Sequence, residues 1–380
     1  MKNNAKVILN NFNELYEFFN QNHFFSGIIA TKKDDKFNLL NPSFLQGNFP
    51  MGSISKSLAY HTFKELFKKK SLNPQQPLGD FFKTKWRSHT LKELLDHQTL
   101  IPNYIEAPLN LDLKKRFQTK EELQQHIESL EKLRQPVYSN SNYIYLSLVL
   151  EKFTKKDSFQ AVKEISGQYV DLSCFEAVEN CTNIMDHYSL NQDLEVIQVE
   201  HTSHLALLSG GFCAPVEDIM NWCSFFRKTD SSNYMGAFEE GVSLLSGSYP
   251  GFKCFYLYFM KEELEILVCT NNEYALNFGL LRCLAAIVQK GRGEHYFYQE
   301  NTELDHIKFT EGTYELPQSK QRVILSKQGK KLYYEIKGQE KFRAFPLDSN
   351  IFFLKQVHVL FEQLEDGIKW HQNNQSHYRS

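Results

Sequence analysis

The stretch Phe49-Pro50-Met51-Gly52-Ser53-Ile54-Ser55-Lys56-Ser57-Leu58 carries the first decision about this chain. From Ser53 onward the apolar positions Leu58, Ala59, Phe63, Leu66 and Phe67 recur at a spacing that keeps them on one side of a helix. Ser53 and Lys56 then share a face, so a lysine amine reaches the serine hydroxyl. A serine hydroxyl is a poor nucleophile until a neighbouring base takes its proton, and a desolvated, neutral lysine is such a base. The same residues also fit an ordinary helix start, a capping serine followed by a surface lysine. A bare Ser-x-x-Lys is common by chance, so the choice rests on what surrounds it.

Two further segments supply partners of the right type. Tyr138-Ser139-Asn140 stands before an apolar helical run containing Tyr143, Ile144, Leu146, Leu148, Val149 and Leu150. A tyrosine and an asparagine two apart in an extended or turn segment project the same way. They offer a phenol that shuttles protons and an amide that hydrogen-bonds a substrate; the plain alternative is a polar turn capping the next helix. Ser246-Gly247-Ser248-Tyr249-Pro250-Gly251-Phe252 leads into strands near the end of the larger region. A glycine in an edge strand admits a ligand backbone, and the N–H beside it can stabilise an oxyanion. The alternative is a turn rich in glycine and proline.

In order, spacing and flanks these segments resemble the serine β-lactamase and DD-peptidase superfamily (penicillin-binding-protein-like), nearest its class C and esterase-like branch. Residues 49–58 look like its nucleophile segment. Thr90-Leu91-Lys92-Glu93-Leu94-Leu95-Asp96-His97 is similar to the helix leading to its tyrosine loop, and Tyr138-Ser139-Asn140 to its Tyr-x-Asn element. Ser209-Gly210-Gly211-Phe212, with 215–222 behind it, looks like its Gly-Gly turn and following helix, and Pro250-Gly251-Phe252 like the turn after its third motif. The likeness runs from about residue 24 to 290. It implies that Ser53 attacks and holds the acyl group, that Lys56 is its base, and that Tyr138 relays protons. It also implies that Asn140 binds the substrate's acyl amide, with Ser246, Gly247 and Ser248 lining the substrate site. The backbone N–H groups of Ser53 and Ser248 would form the oxyanion hole.

The resemblance has two breaks. The third motif of the family opens with Lys or His, whereas the frame set by Pro250-Gly251-Phe252 places Leu245 there. Leucine neither binds a carboxylate nor titrates, which argues against a β-lactamase or DD-carboxypeptidase and leaves Ser53 facing Leu245 across the cleft. The glycine expected after His97 is replaced within Gln98-Thr99-Leu100-Ile101-Pro102, a loop expected near the site. His97, His201 and His204 read as structural or exposed, since the resemblance gives the base role to lysine; the last two could line a cleft.

Length and composition set the frame. At 380 residues the chain suggests one large domain and a smaller one. A hydrophobic fraction of 42%, a charged fraction of 23% and a net charge of −2 describe a globular protein without the clustered positive surface that nucleic acid requires. No stretch approaches the ~20 apolar residues of a membrane span. The N-terminus lacks the roughly 7–15 apolar residues of a secretory signal, so a cytoplasmic location is expected, with signal-independent export left open. Seven scattered cysteines without CxxC spacing or a histidine pair read as buried, reduced thiols, and neither a metal nor a cofactor is expected. Abundant Asn, Lys, Phe and Tyr suit a bacterium with an A/T-rich genome.

Along the chain, 10–22 predicts an opening helix with Leu9, Phe12, Leu15, Phe18 and Phe19 on one face, and 24–30 a strand. Thr90-Leu91-Lys92-Glu93 and Thr119-Lys120-Glu121-Glu122 are capping boxes. Pro215 with Glu217 and Asp218 starts a helix. Strands are expected over 252–260 and 264–270, and a helix over 276–289. Gly291-Arg292-Gly293-Glu294 reads as a boundary. Beyond it, strands at 322–326, 331–336, 352–361 and 368–371, with Glu365-Asp366-Gly367 as a hairpin signal, predict a small antiparallel β domain similar to the lipocalin-like domain that some relatives carry. The expected fold is therefore α+β. Residues 1–295 form a β-lactamase/transpeptidase-like serine acyl-transfer domain, an antiparallel sheet flanked by helices plus a helical lobe, and 302–380 the small β domain. Two readings of function stay open. One is a hydrolase or acyl-transferase acting on an ester, amide or short peptide; the other is a non-catalytic binding protein on the same fold, for which Leu245 is the main argument.

Overall fold

The computed structural model describes residues 6–21, 25–40, 47–105, 117, 119–190, 196–199, 206–229, 234–272, 278–296, 307–315, 322–336, 341–346, 349–354, 359–364 and 367–370. The chain opens with β1 (Lys6–Leu9) and α1 (Phe12–Gln21), which buries Leu15 and Phe19 as the stripe predicts. The hairpin β2 (Gly27–Lys33) and β3 (Lys36–Leu40) precedes the two-residue strand β4 (Phe49–Pro50). The helix expected at Ser53 begins as a tight turn over Gly52–Ile54 and continues as α2 (Ser55–Lys68). Both capping boxes form. Thr90 opens α3 (Leu91–Leu95) and Thr119 opens α4 (Lys120–Ser129), each bonded to the backbone of the glutamate three residues on, which returns the bond. With α5 (Asn140–Thr154) and α6 (Ser158–Ser166) these make a helical lobe in which α2 packs on α6 and α3 on α5.

Short strands β5 (Glu176–Ala177), β6 (His187–Leu190), β7 (Val196–Val199) and β8 (Phe212–Ala214) lead to α7 (Val216–Arg227), with Pro215 as its extended cap and Glu217 and Asp218 in its first turn. Next come β9 (Gly236–Glu239), β10 (Val242–Tyr249), β11 (Phe252–Phe259) and β12 (Leu264–Thr270). The main sheet is six-stranded and antiparallel in the order β3-β2-β12-β11-β10-β9, with α7 packed on β12 and β2. A smaller sheet, β4-β8-β5, lies in the same compact unit (Gly27–His187 and Val199–Glu273). β9 is short and pairs only with Val242, Ser243 and Leu244 of β10, so the rest of β10 has no strand beside it on that edge among the described residues.

The other compact unit (Met1–Ser26, Tyr188–Gln198 and Tyr274–Ser380) holds α8 (Phe278–Lys290) and β13 (Gly293–Tyr296). β13, within the stretch read as a boundary, pairs antiparallel with β1. Then follow β14 (Gly312–Glu315), β15 (Arg322–Gln328), β16 (Lys331–Ile336), β17 (Lys341–Pro346), β18 (Ile351–Leu354), β19 (Val359–Leu364) and β20 (Gly367–Trp370). They form a seven-stranded antiparallel meander, each strand paired with the next, around Val323, Leu325, Phe352, Leu354 and Phe361. Gln363 on β19 bonds in both directions to the backbone of Thr310 (2.9 and 2.7 Å), just ahead of β14, which bends the sheet toward closure as a near-barrel.

One expected strand is corrected: 352–361 is two strands, β18 and β19, folded back on each other with Leu354 opposite Val359. No glycine, proline or asparagine marks the reversal, so the apolar ends read as one run. β14 and β17 also escaped the sequence pattern. Among the described residues no helix is long and apolar enough to cross a membrane.

Candidate active site

Ser53 sits in the tight turn that enters α2, between a glycine with left-handed backbone and a lysine one turn on. Gly52 has φ +52°, in the left-handed region, and a Cβ there would lie 2.5 Å from the backbone of Ser248. The turn is pinned by the motif's other serines. Ser55 Oγ accepts from the Phe212 N–H (3.1 Å), and Ser57 Oγ donates to the Ile54 carbonyl (2.6 Å) while accepting from Trp222 Nε1 (2.7 Å).

Lys56 is fully buried. Its Nζ lies 3.0 Å from Ser53 Oγ and donates to Asn140 Oδ1 (2.7 Å) and to the Ser209 carbonyl. The ring faces of Tyr138 and Tyr143 stand 5.1 and 5.6 Å from it. Burial holds the amine well below the usual lysine value. On the other side of Ser53, Tyr138 Oη is 2.8 Å from Ser53 Oγ. Tyr138 is 48% exposed, yet desolvation by the protein around it raises its pKa, against a smaller lowering by the Ser53 hydrogen bond.

His97 turns out to be part of this assembly. At φ +54° it leaves α3, and its Nδ1 accepts from the Ser139 N–H (3.2 Å) and lies 3.3 Å from Asn142 Nδ2. An accepting Nδ1 places the ring proton on Nε2. The ring lies against Tyr138 (centroids 4.4 Å apart) and Tyr143 (5.2 Å). Burial, then the nearby Lys56 amine, lowers its pKa to about 4, so it is neutral. Thr99, in the loop that lacks the expected glycine, donates to Asn142 Oδ1 (2.7 Å), and Ser141 donates to the Pro102 carbonyl (2.6 Å); this ties the loop to the start of α5.

Asn140 is engaged at both ends, Oδ1 by Lys56 and Nδ2 by Asn103 Oδ1 (3.2 Å). On β10, Ser246 and Ser248 are exposed, while Gly247 is buried with no room for a Cβ against the Met51 carbonyl. The open edge of β10 therefore abuts the turn that holds Ser53. Leu245 is 4% exposed and joins the apolar core; strand alternation puts it on the same face of β10 as Gly247, the face that packs against Met51 and Ile54 on either side of Ser53. His201 and His204 lie outside the described residues. A cavity of about 710 Å³ opens farther along α2, lined by Tyr60, His61, Lys64 and Phe225 among others, and does not include Ser53.

Sequence reasoning brought Ser53, Lys56, Tyr138 and Asn140 together, and the fold does too. It missed the Ser209 carbonyl, for which side-chain patterns hold no signal. It also missed His97's part, although His97 stood inside a recognised segment.

The chain carries a domain of β-lactamase/transpeptidase-like fold. Residues 47–164 match the family model described as Beta-lactamase. Among solved structures, the octameric penicillin-binding protein homologue from Pyrococcus abyssi is similar at TM-score 0.61 and 15% identity, over 94% of this chain and 95% of that one. A D-stereospecific amidohydrolase from Streptomyces sp. is similar at 0.55 and 15%, over 65% and 89%. SurE with D-Leu is similar at 0.55 and 12%, over 97% and 98%. No curated protein matches the sequence.

Proposed function

We propose that this chain is a serine hydrolase or acyl-transferase that forms an acyl-enzyme at Ser53 on a small ester, amide or short peptide. The observation that carries the reading is the continuous contact Tyr138 Oη–Ser53 Oγ–Lys56 Nζ at 2.8 and 3.0 Å, with the lysine fully buried. A neutral amine has two N–H groups and one lone pair. Asn140 Oδ1 and the Ser209 carbonyl take the two N–H groups, which leaves the lone pair aimed at the Ser53 hydroxyl.

Ser53 Oγ bonds to the substrate carbonyl carbon as its proton passes to Lys56 Nζ. The oxyanion is met by the N–H groups of Ser53 and Ser248, on backbones that approach closely at Gly52. Tyr138 delivers a proton to the leaving group as its bond breaks, and later takes one from the water or amine that attacks the acyl-enzyme. Leu245 removes a cation from the third motif, which favours an acyl donor recognised without a carboxylate. Two neighbours named for D-configured compounds support D-amino acyl esters and amides as the first substrates to try.

The test is covalent labelling. A fluorophosphonate is expected to add to Ser53 in the full chain and not in Ser53→Ala, with nitrophenyl ester turnover lost in parallel. Absence of both labelling and turnover between about pH 6 and 9 would leave the fold a binding scaffold.

A further inference from the structure

The cysteines are scattered in sequence, but two of them meet a carboxylate in the fold. Glu176 on β5, Cys181 just after the turn that follows it, and Cys213 on β8 bring a carboxylate oxygen and two Sγ atoms within 4.8 Å of one another. Strand register fixes them: Glu176 is opposite Cys213 in the β5–β8 pair, and Pro50 is opposite Cys213 in the β4–β8 pair. Cys213 is wholly buried, Cys181 half-buried and Glu176 exposed, so the cluster has one wall in the core and one side open to water. Asn48 Nδ2 donates to Cys181 Sγ at 3.2 Å, the kind of N–H···S bond that orients a metal-bound thiolate from behind.

A second cysteine pair shows what this cluster has in addition. Cys254 and Cys269 face each other across β11 and β12 with Sγ atoms 3.3 Å apart, both fully buried in the core. Among the described residues that pair belongs to no ligand cluster, and both of its members are fully buried. Glu176, Cys181 and Cys213 form such a cluster, with Glu176 exposed.

We propose that Glu176, Cys181 and Cys213 bind a thiophilic divalent ion, Zn²⁺ being the best fit, with a fourth position open to solvent. Two sulfurs and one carboxylate suit tetrahedral Zn²⁺ or Co²⁺ and offer too few oxygens for Ca²⁺ or Mg²⁺. Each thiol releases its proton as its M–S bond forms, the carboxylate supplies the third bond, and water fills the fourth position. The ion would cross-link β5 to β8, which runs on from the turn whose Ser209 carbonyl holds Lys56.

The full chain, reduced and freed of metal, is to be titrated with Co²⁺. One equivalent is expected to bind with a thiolate-to-cobalt charge-transfer band in the near ultraviolet, and Zn²⁺ is expected to displace it. Cys181→Ser and Cys213→Ser should each weaken binding by more than about 100-fold, and Asn48→Ala by about 10-fold. Cys174→Ser, at an exposed cysteine outside the cluster, should change nothing. If Cys213→Ser fails to fold because its thiol is buried, Cys181→Ser and Glu176→Gln on the open side carry the test. No charge-transfer band in the parent chain overturns the proposal, as does binding undiminished in Cys181→Ser and Glu176→Gln. A Cys181–Cys213 disulfide in the isolated protein, followed by no Co²⁺ uptake after reduction, also overturns it.

Discussion

Around Ser53 the interior is polar: Ser55, Lys56, Ser57, Ser141, Asn142 and Ser209 are all buried. The C-terminal sheet buries Val323, Leu325, Phe352, Leu354 and Phe361, and among its described residues Gln363 is the buried polar side chain. Buried polar groups are tolerated only when their hydrogen bonds are met, which demands positional accuracy and gives little net stability in return. Apolar strands ask for less accuracy and gain stability from area alone. The molecule thus concentrates costly burial around Ser53 and keeps the sheet plain.

The largest effect should come from Ser53→Ala, with ester turnover falling by at least about 1,000-fold and the melting temperature nearly unchanged. Lys56→Met should abolish turnover equally while holding or raising stability, because it removes a buried amine and keeps the chain's length; calorimetry beside the ester assay checks both. If Lys56→Met instead unfolds the protein, the polar interior is a source of stability and the contrast fails. In the sheet, Phe361→Ala should cost about 3–5 kcal/mol in chemical denaturation and leave the rate of Ser53 labelling unchanged. A parallel loss of labelling would show that the two regions do not divide the work this way.

His97→Gln should lower kcat by about 10- to 100-fold with KM little changed, since His97 acts through Tyr138 and not on substrate. His97 also predicts an acid response. Its pKa in the fold, about 4 against 6.5 when free, means that its stabilising contribution is complete above pH 6.5 and is lost as pH falls toward 4. The melting temperature should fall over that window, less steeply in His97→Gln. Turnover should likewise decline on acidification as Lys56, held below its ordinary 10.5, regains its proton. The smallest effect belongs to Leu245→His. Neutral ester turnover should move less than about threefold, with a gain confined to carboxylate-bearing substrates, at a stability cost of roughly 1–3 kcal/mol for burying the ring.

Legibility in the sequence follows the same division. The Ser-x-x-Lys turn, both capping boxes and the Tyr-x-Asn segment could be read because each depends on side-chain identity at short spacing. The Lys56 contact with the Ser209 carbonyl could not, since every residue has a carbonyl. The burial of Leu245 was open to strand alternation along β10. In the sheet, Arg322–Gln328 and Lys331–Ile336 showed as strands. Lys341–Pro346 did not, because its alternation lasts only four residues before Phe345 and Pro346. The cluster of Glu176, Cys181 and Cys213 was illegible for another reason: strand register pairs Glu176 with Cys213, and the turn after β5 brings in Cys181.

Gly52 and Gly247 have a consequence for anyone redesigning this protein. Each presses its bare backbone into the space where the other segment's side chain would stand, at Ser248 in one direction and Met51 in the other. A combinatorial library at these two positions would return almost nothing but the parent, since every larger residue wedges apart the two strands of backbone. Diversity belongs at the rim, where Val137, Ser246 and Ser248 meet solvent and tolerate new shapes. The floor of the site is closed to tailoring, and new selectivity has to be built from its walls.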